Sequence, residues 1–164
     1  MSGGSAQRPD SRLRAAGLRV TEPRVAIIRV LDDAGVGHEH LTAAQVADRA
    51  RKSLGRALSV QAVYDCLNAL AGASVVRRIE PAGHPMRYET RVGDNHHHLV
   101  CRVCGRTADV DCSASSAPCL SPSQHSGFVV DEAEITFWGT CPDCAVSTGE
   151  RPGPSPHSTT RGEP

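Results

Sequence analysis

Four cysteines carry the most specific chemistry in the chain. Cys101 and Cys104 stand in Cys-Arg-Val-Cys-Gly, and Cys141 and Cys144 in Cys-Pro-Asp-Cys, with 36 residues between the pairs. Two thiolates two residues apart form a tight knuckle, and two knuckles complete a tetrahedral shell for Zn²⁺. All four positions are then filled by protein, so the expected metal is structural, with no open position for a substrate water. The competing reading is a pair of redox Cys-x-x-Cys motifs or buried free thiols; the doubled knuckle favours zinc. Three cysteines remain. Cys66, between Val63 and Leu67 of an expected helix, reads as a small core residue. Cys112 and Cys119 lie near acidic residues and read as reduced thiols or, in the sharper reading, as a redox pair. Asp109 and Asp111 disfavour thiolate formation there.

A second group has the composition of a metal clamp. Three of the eight histidines are contiguous, His96-His97-His98. On a strand His96 and His98 share one face and His97 takes the other, because side chains alternate. Glu89 before them and Asp109 after them could join, as could His38 or His40 if the two halves of the chain fold together. The bland alternative is a solvated histidine run. A mixed imidazole and carboxylate shell suits Fe²⁺, Mn²⁺ or Zn²⁺ better than soft Cu⁺.

The elements that must position these groups follow from pattern. Residues 1–10 read as a disordered tail. A helix starts at Ser11 and stops at Gly17. Thr21 and Pro23 mark the start of a second, running to about Ala34 with Val25, Ile28 and Leu31 on one stripe. Thr42 caps a third, with Val46 and Ala50 inward, through about Ser53. Ser59 caps a fourth, whose buried stripe is Val60, Val63, Leu67 and Leu70. Val75–Ile79 and Met86–Glu89 read as strands around a turn at Pro81–Pro85. Short helices followed by a β-hairpin make a winged helix-turn-helix, whose last helix enters the major groove while the hairpin touches phosphates. Thr90–Asn95 reads as a hinge. Strands are expected at His97–Cys101, at Thr107–Asp111 and at Glu132–Trp138; Ser113–Ser126 reads as a loop with a short helix. From Val146 onward Gly, Pro, Ser and Thr dominate, as in a disordered tail. The expected fold is thus α+β: a winged-helix DNA-binding domain over 11–92 and a small α/β metal-binding domain over 93–145, between tails at 1–10 and 146–164.

The chain has 164 residues, with 39% hydrophobic and 22% charged residues, which fits a soluble globular protein of one domain or two small ones. No run approaches a membrane span. The first residues lack an apolar signal-peptide core, so a cytoplasmic protein without a disulfide framework is expected. Eighteen Lys/Arg balance eighteen Asp/Glu. The balance hides an asymmetry: residues 1–92 hold fourteen basic and nine acidic residues, and residues 93–164 hold four and nine. A basic front half points to a polyanion there and a different task behind. Aromatic residues are only 3%, which argues against a nucleic-acid stacking platform. An enzyme, either a metal hydrolase or a thiol oxidoreductase, is one rival, but the sequence lacks His-Glu-x-x-His, a Gly-rich phosphate loop and a serine elbow. A zinc-ribbon interaction module is the remaining rival.

Several stretches together resemble the ferric uptake regulator (Fur) family. They are Gly17-Leu-Arg-Val-Thr, His40-Leu-Thr-Ala, Ser59-Val-Gln-Ala-Val-Tyr64, His96-His-His-Leu-Val-Cys-Arg-Val-Cys-Gly105, Asp109-Val and Cys141-Pro-Asp-Cys144. The resemblance covers about Leu13 to Cys144. Arg87-Tyr-Glu-Thr-Arg-Val-Gly-Asp-Asn, Ala117-Pro-Cys-Leu and Val130-Asp-Glu-Ala-Glu resemble the actinobacterial branch associated with catalase control. The resemblance implies a homodimeric, metal-dependent repressor that binds operator DNA, an AT-rich inverted repeat, and responds to Fe²⁺ or Mn²⁺. Zinc-responsive and thiol-redox-responsive repressors share the scaffold. The family's regulatory metal site maps onto His40, Glu89, His96, His98 and Asp109, which selects His40 over His38. A further site of many relatives would use His97. Here Asn95 replaces a common histidine, and His125, Glu132 and Glu134 offer no secure match. For DNA the resemblance implies Arg19 in the minor groove and Tyr64 near a thymine methyl. Asp65 stands where some relatives carry a basic contact. Ser59, Gln61 and Arg78 are further candidate phosphate or groove contacts.

Overall fold

The structure is a computed structural model, and it describes residues 7–94, 96–111, 122–124, 126–130 and 133–149. Cys112, Cys119, His125, Glu132, Asn95, most of the expected loop at 113–126 and the chain from residue 150 lie outside the described residues.

Helix α1 spans Pro9–Ala15, with Pro9 in its first turn, and so begins inside the segment expected to be a tail. Its anchor is Arg12, which donates to Asp32 at 2.8 Å and to the Val75 carbonyl at 2.9 Å. Gly17 then turns the chain with φ +69°, and α2 runs over Glu22–Val36. Ile28 and Leu31 are buried there as expected, joined by Ile27 and Val30, while Val25 is only half-buried. Helix α3, Ala43–Leu54, opens on a full capping box: Thr42 accepts from the Gln45 backbone while the Gln45 side chain accepts from Thr42 N–H. Helix α4, Val60–Gly72, is capped by Ser59, which accepts from Ala62 N–H at 3.1 Å. Val63, Leu67 and Leu70 are fully buried along α4. Val60 departs from the expected stripe: at the first position of the helix it projects beyond the core and is 51% exposed.

The wing is a three-stranded sheet of order β1-β3-β2, with β1 at Leu41–Thr42, β2 at Arg77–Ile79 and β3 at Arg87–Glu89. Strand β1 has no counterpart in the sequence reading. It pairs antiparallel with β3, Leu41 opposite Tyr88. Tyr88 is buried and joins one hydrophobic core with α1–α4. A winged helix-turn-helix thus occupies the front of the chain.

The second sheet has order β5-β4-β6: β4, His96–Cys101, is central, β5, Thr107–Asp111, is antiparallel to it, and β6, Thr136–Gly139, is parallel. Helix α5, Pro142–Thr148, follows and takes up the first residues of the expected C-terminal tail. The described residues of this half form little apolar interior. Among the described residues after Ile79 and Tyr88, only Val100, Cys101 and Ala145 are buried hydrophobics. The wing turn rests on this half at Gly105: with φ +69°, a Cβ there would meet the His84 ring at 2.7 Å. Among the described residues no helix is long and apolar enough to cross a membrane.

Candidate metal centre

Two strand ladders place one cluster. Leu41 opposes Tyr88, so the antiparallel register extended by one residue sets His40 opposite Glu89. In the other sheet His98 directly opposes Asp109. One ligand atom from each of His40, Glu89, His98 and Asp109 lies within 4.8 Å of the others. His40 Nε2 is 3.2 Å from Glu89 Oε2 and 2.8 Å from Asp109 Oδ1. His98 Nε2 is 3.3 Å from Glu89 Oε1, and His96 Nε2 is 3.1 Å from the same oxygen and 3.9 Å from Asp109 Oδ1. The structure therefore brings four of the five sequence-selected residues into one cluster and sets the fifth, His96, against Glu89 beside it. His38 stays exposed, at φ +54°.

All three contiguous histidines are buried, at 4% exposure or less, which overturns the reading of a solvated run. Their environment is polar. Burial pushes the Glu89 carboxyl up, but the hydrogen bonds from His40 and His98 and the nearby imidazoles outweigh it and hold it down at about 2. Burial pulls His40 down, and contact with Glu89 and Asp109 raises it above its ordinary value. His40 Nδ1 faces the Thr107 carbonyl at 3.2 Å, which leaves Nε2 for the cluster. His97 points away, with its ring 6.5 Å from that of Phe137. Glu134 Oε1 is 4.0 Å from His98 Nδ1, beyond hydrogen-bond reach.

This donor set fits a divalent ion. Ligand atoms about 2.0–2.2 Å from a metal sit roughly 3.0–3.5 Å apart around it, close to the separations of the cluster. Asp109 Oδ1 is buried and accepts no hydrogen bond among the described residues, though His40 Nε2 is adjacent. A buried carboxylate oxygen in that state is suited to a cation. A cleft of about 630 Å³, lined in part by His40, Glu89, Arg91 and Asp109, provides an entry path.

The four cysteines form a separate cluster. Parallel pairing sets Cys101 beside Gly139, two residues before Cys141. One sulfur from each of Cys101, Cys104, Cys141 and Cys144 lies within 4.8 Å of the others. Cys104 Sγ and Cys141 Sγ are 3.7 Å apart, against roughly 3.8 Å expected for two thiolates at 2.3 Å from one tetrahedral zinc. Burial pushes the Cys101 thiol up, but backbone N–H groups of the knuckles, including that of Cys141, favour its thiolate. Contact with the other sulfurs raises Cys144. The cluster is compatible with a structural zinc.

The candidate DNA contacts lie elsewhere. Arg19, Ser59, Gln61, Tyr64 and Arg78 are all exposed, on the segment before α2, on the outer face of α4 and on β2. Gln61 donates to Asp65 at 2.8 Å, and Arg78 pairs with Glu80 at 2.8 Å. Tyr64 is 43% exposed.

The profile of the ferric uptake regulator family matches residues 15–137. The chain belongs to this family. It is 50% identical to the transcriptional regulator FurA of Mycobacterium bovis over 143 residues, covering 87% of this chain and 94% of that protein. It is 52% identical to ferric uptake regulation protein 2 of Mycolicibacterium fortuitum over 137 residues, covering 82% and 91%. The ferric uptake regulator of Pseudomonas aeruginosa, solved with manganese, shares the fold with a TM-score of 0.59 at 24% identity, covering 82% of this chain and 98% of that one. The chain is thus a Fur-family transcriptional regulator rather than an enzyme.

Proposed function

We propose that this Fur-family regulator is a homodimeric repressor whose regulatory ion, Fe²⁺ or Mn²⁺, is held by His40, Glu89, His96, His98 and Asp109, and whose structural Zn²⁺ is held by Cys101, Cys104, Cys141 and Cys144. The observation that carries the reading is the origin of the five ligands. His40 and Glu89 come from the winged-helix sheet; His96, His98 and Asp109 come from the second sheet. One ion held by both fixes the angle between them, and a ligand that binds one conformer better shifts the population toward it. In a two-fold dimer that angle sets the spacing of two recognition helices, which must match two half-sites of an inverted repeat.

The domain boundary we propose falls within residues 90–95, with DNA binding over 11–92 and dimerisation over 93–145, in the cytoplasm. Support for the dimer comes from Leu99 and Phe137, paired on neighbouring strands and each 45% exposed. Support for the DNA face comes from the basic excess of residues 1–92 and the exposed side chains of α4. Arg19 is assigned to the minor groove, Tyr64 to a thymine methyl, and Ser59, Gln61 and Arg78 to phosphates or groove edges.

The genes controlled, in this reading, serve oxidative stress or iron homeostasis. Three imidazoles and two carboxylates leave one position of a six-coordinate ion open, and oxidation of His40 or His96 would remove a ligand and release DNA. A thiol route through Cys112 and Cys119 is the rival. Gel shifts on an AT-rich inverted repeat with Fe²⁺ or Mn²⁺, before and after peroxide, test both. Metal should strengthen binding, and peroxide should abolish it with Fe²⁺ alone, with one added oxygen on a His40 or His96 peptide. Loss of binding in the Mn²⁺ form with a linked Cys112–Cys119 peptide contradicts the histidine route.

The ion must compete with a proton on His40, whose imidazolium the two carboxylates favour. Because that pKa is raised, the competition extends above pH 6.5. Apparent Mn²⁺ affinity should therefore fall as pH is lowered, reaching about tenfold per pH unit for each proton displaced once pH lies below the raised His40 pKa. Chelator competition at several pH values measures this; a flat profile contradicts it.

A further inference from the structure

Six residues, 90–95, join β3 to β4; the described ones contribute no ligand to the cluster, yet two of their side chains reach it from outside. Arg91 spreads its guanidinium over three carboxylates. Nε donates to Asp94 Oδ2 at 2.5 Å, Nη2 to Asp111 Oδ1 at 2.7 Å and Nη1 to Asp109 Oδ2 at 3.5 Å. Asp94 uses its other oxygen on His96, with Oδ1 2.7 Å from Nδ1. The contact with exposed Asp111 is a surface pair of little weight. The other contacts form a chain that ends on two residues of the cluster.

We propose that Arg91 and Asp94 are positioning residues of the metal centre, fixing which atoms of His96 and Asp109 face the ion. The proposal rests on the reading of that cluster as a metal site. Asp94 accepts the Nδ1 hydrogen of His96, which fixes the tautomer and leaves the lone pair on Nε2, the nitrogen that faces Glu89. Arg91 engages Asp109 Oδ2 and leaves Oδ1 pointing inward at His40 Nε2. His40 is set by the same logic through the Thr107 carbonyl. Outer-shell hydrogen bonds of this kind orient ligands and raise their basicity. His98 Nδ1 has no hydrogen-bond partner among the described residues, so its ring is held by burial and by Nε2 against Glu89 Oε1 at 3.3 Å, with no outer-shell bond. Since Arg91 and Asp94 belong to the connection between the sheets, the connection itself is held to the site it must align.

Mn²⁺ affinity of the full-length, zinc-loaded protein, measured by competition with a fluorescent chelator, tests this. Arg91→Ala and Asp94→Ala should each weaken Mn²⁺ about 10- to 100-fold. Zinc content and the metal-free Tm should stay at wild-type values. Asp94→Asn, which keeps an acceptor for the His96 Nδ1 hydrogen, should recover part of the loss. The visible absorption of the Co²⁺-loaded protein should change in Arg91→Ala, since Asp109 is then free to turn both oxygens inward. Wild-type Mn²⁺ affinity in both alanine variants, alongside its loss in His98→Ala, would overturn the positioning role and leave the metal centre standing. Wild-type affinity in His98→Ala would overturn the metal centre itself. If an alanine variant does not fold, Arg91→Lys, which cannot span three carboxylates, decides in the same way.

Discussion

Replacing Cys101 or Cys141 by serine is expected to release the zinc and unfold the second half of the chain. The reason is the imbalance between the halves. The winged helix has a continuous apolar core from Leu13 to Tyr88. The second sheet buries only Val100, Cys101 and Ala145 among described hydrophobic residues beyond that core, and its interior histidines are polar. A unit this poor in buried apolar surface needs staples, and a closed thiolate site is a folding contribution in its own right. The four-cysteine cluster ties the end of β4 to the start of α5, next to a four-residue strand held on one side by parallel pairing. The loss should exceed about 4 kcal/mol, the range reserved for removal of a metal or a network. Zinc analysis, size-exclusion chromatography and thermal melting followed by circular dichroism read it out. The helical signal of α1–α4 should persist after that of the second half has gone. A Cys101→Ser protein with stoichiometric zinc and a wild-type melting curve contradicts the assignment.

The second large effect is expected at the regulatory cluster. His98→Ala or Asp109→Ala should lower operator affinity about 10- to 100-fold in saturating Mn²⁺, within the usual range of coupling between two sites. The metal-free affinity should not change, because neither residue lies on the proposed DNA face. Tyr64→Phe and Arg19→Ala should weaken binding with and without metal. Fluorescence anisotropy at fixed ionic strength separates the two classes, since phosphate contacts make every affinity steeply salt-dependent. Equal losses with and without Mn²⁺ in His98→Ala would place that residue in the fold rather than in the switch.

How much of this was legible in the sequence depended on whether the signal was local. The caps at Thr42 and Ser59 and the Cys-x-x-Cys knuckles are short-range chemistry, and the structure places them as read. Strand β1 is two residues long and too short to show any period. It nonetheless decides why His40 and not His38 meets Glu89, a choice that spacing alone left open. Val60 carries the right residue type at the right helical spacing, but the core ends before it. Composition alone marks the tail boundaries, and it misses a helix that begins on Pro9 or continues through Val146. Arg91 and Asp94 left no signal, because their link to Asp109 and His96 depends on how the connection folds back on the sheet.

The central claim is that one ion per chain, held across both sheets, switches DNA binding. A single titration tests it most directly: Mn²⁺ added to metal-free, zinc-retaining protein in the presence of labelled operator DNA, with anisotropy and bound Mn²⁺ followed together. Both signals should rise in step and saturate near one ion per chain, and His98→Ala should abolish both. Full operator affinity before any Mn²⁺ is bound would contradict the account.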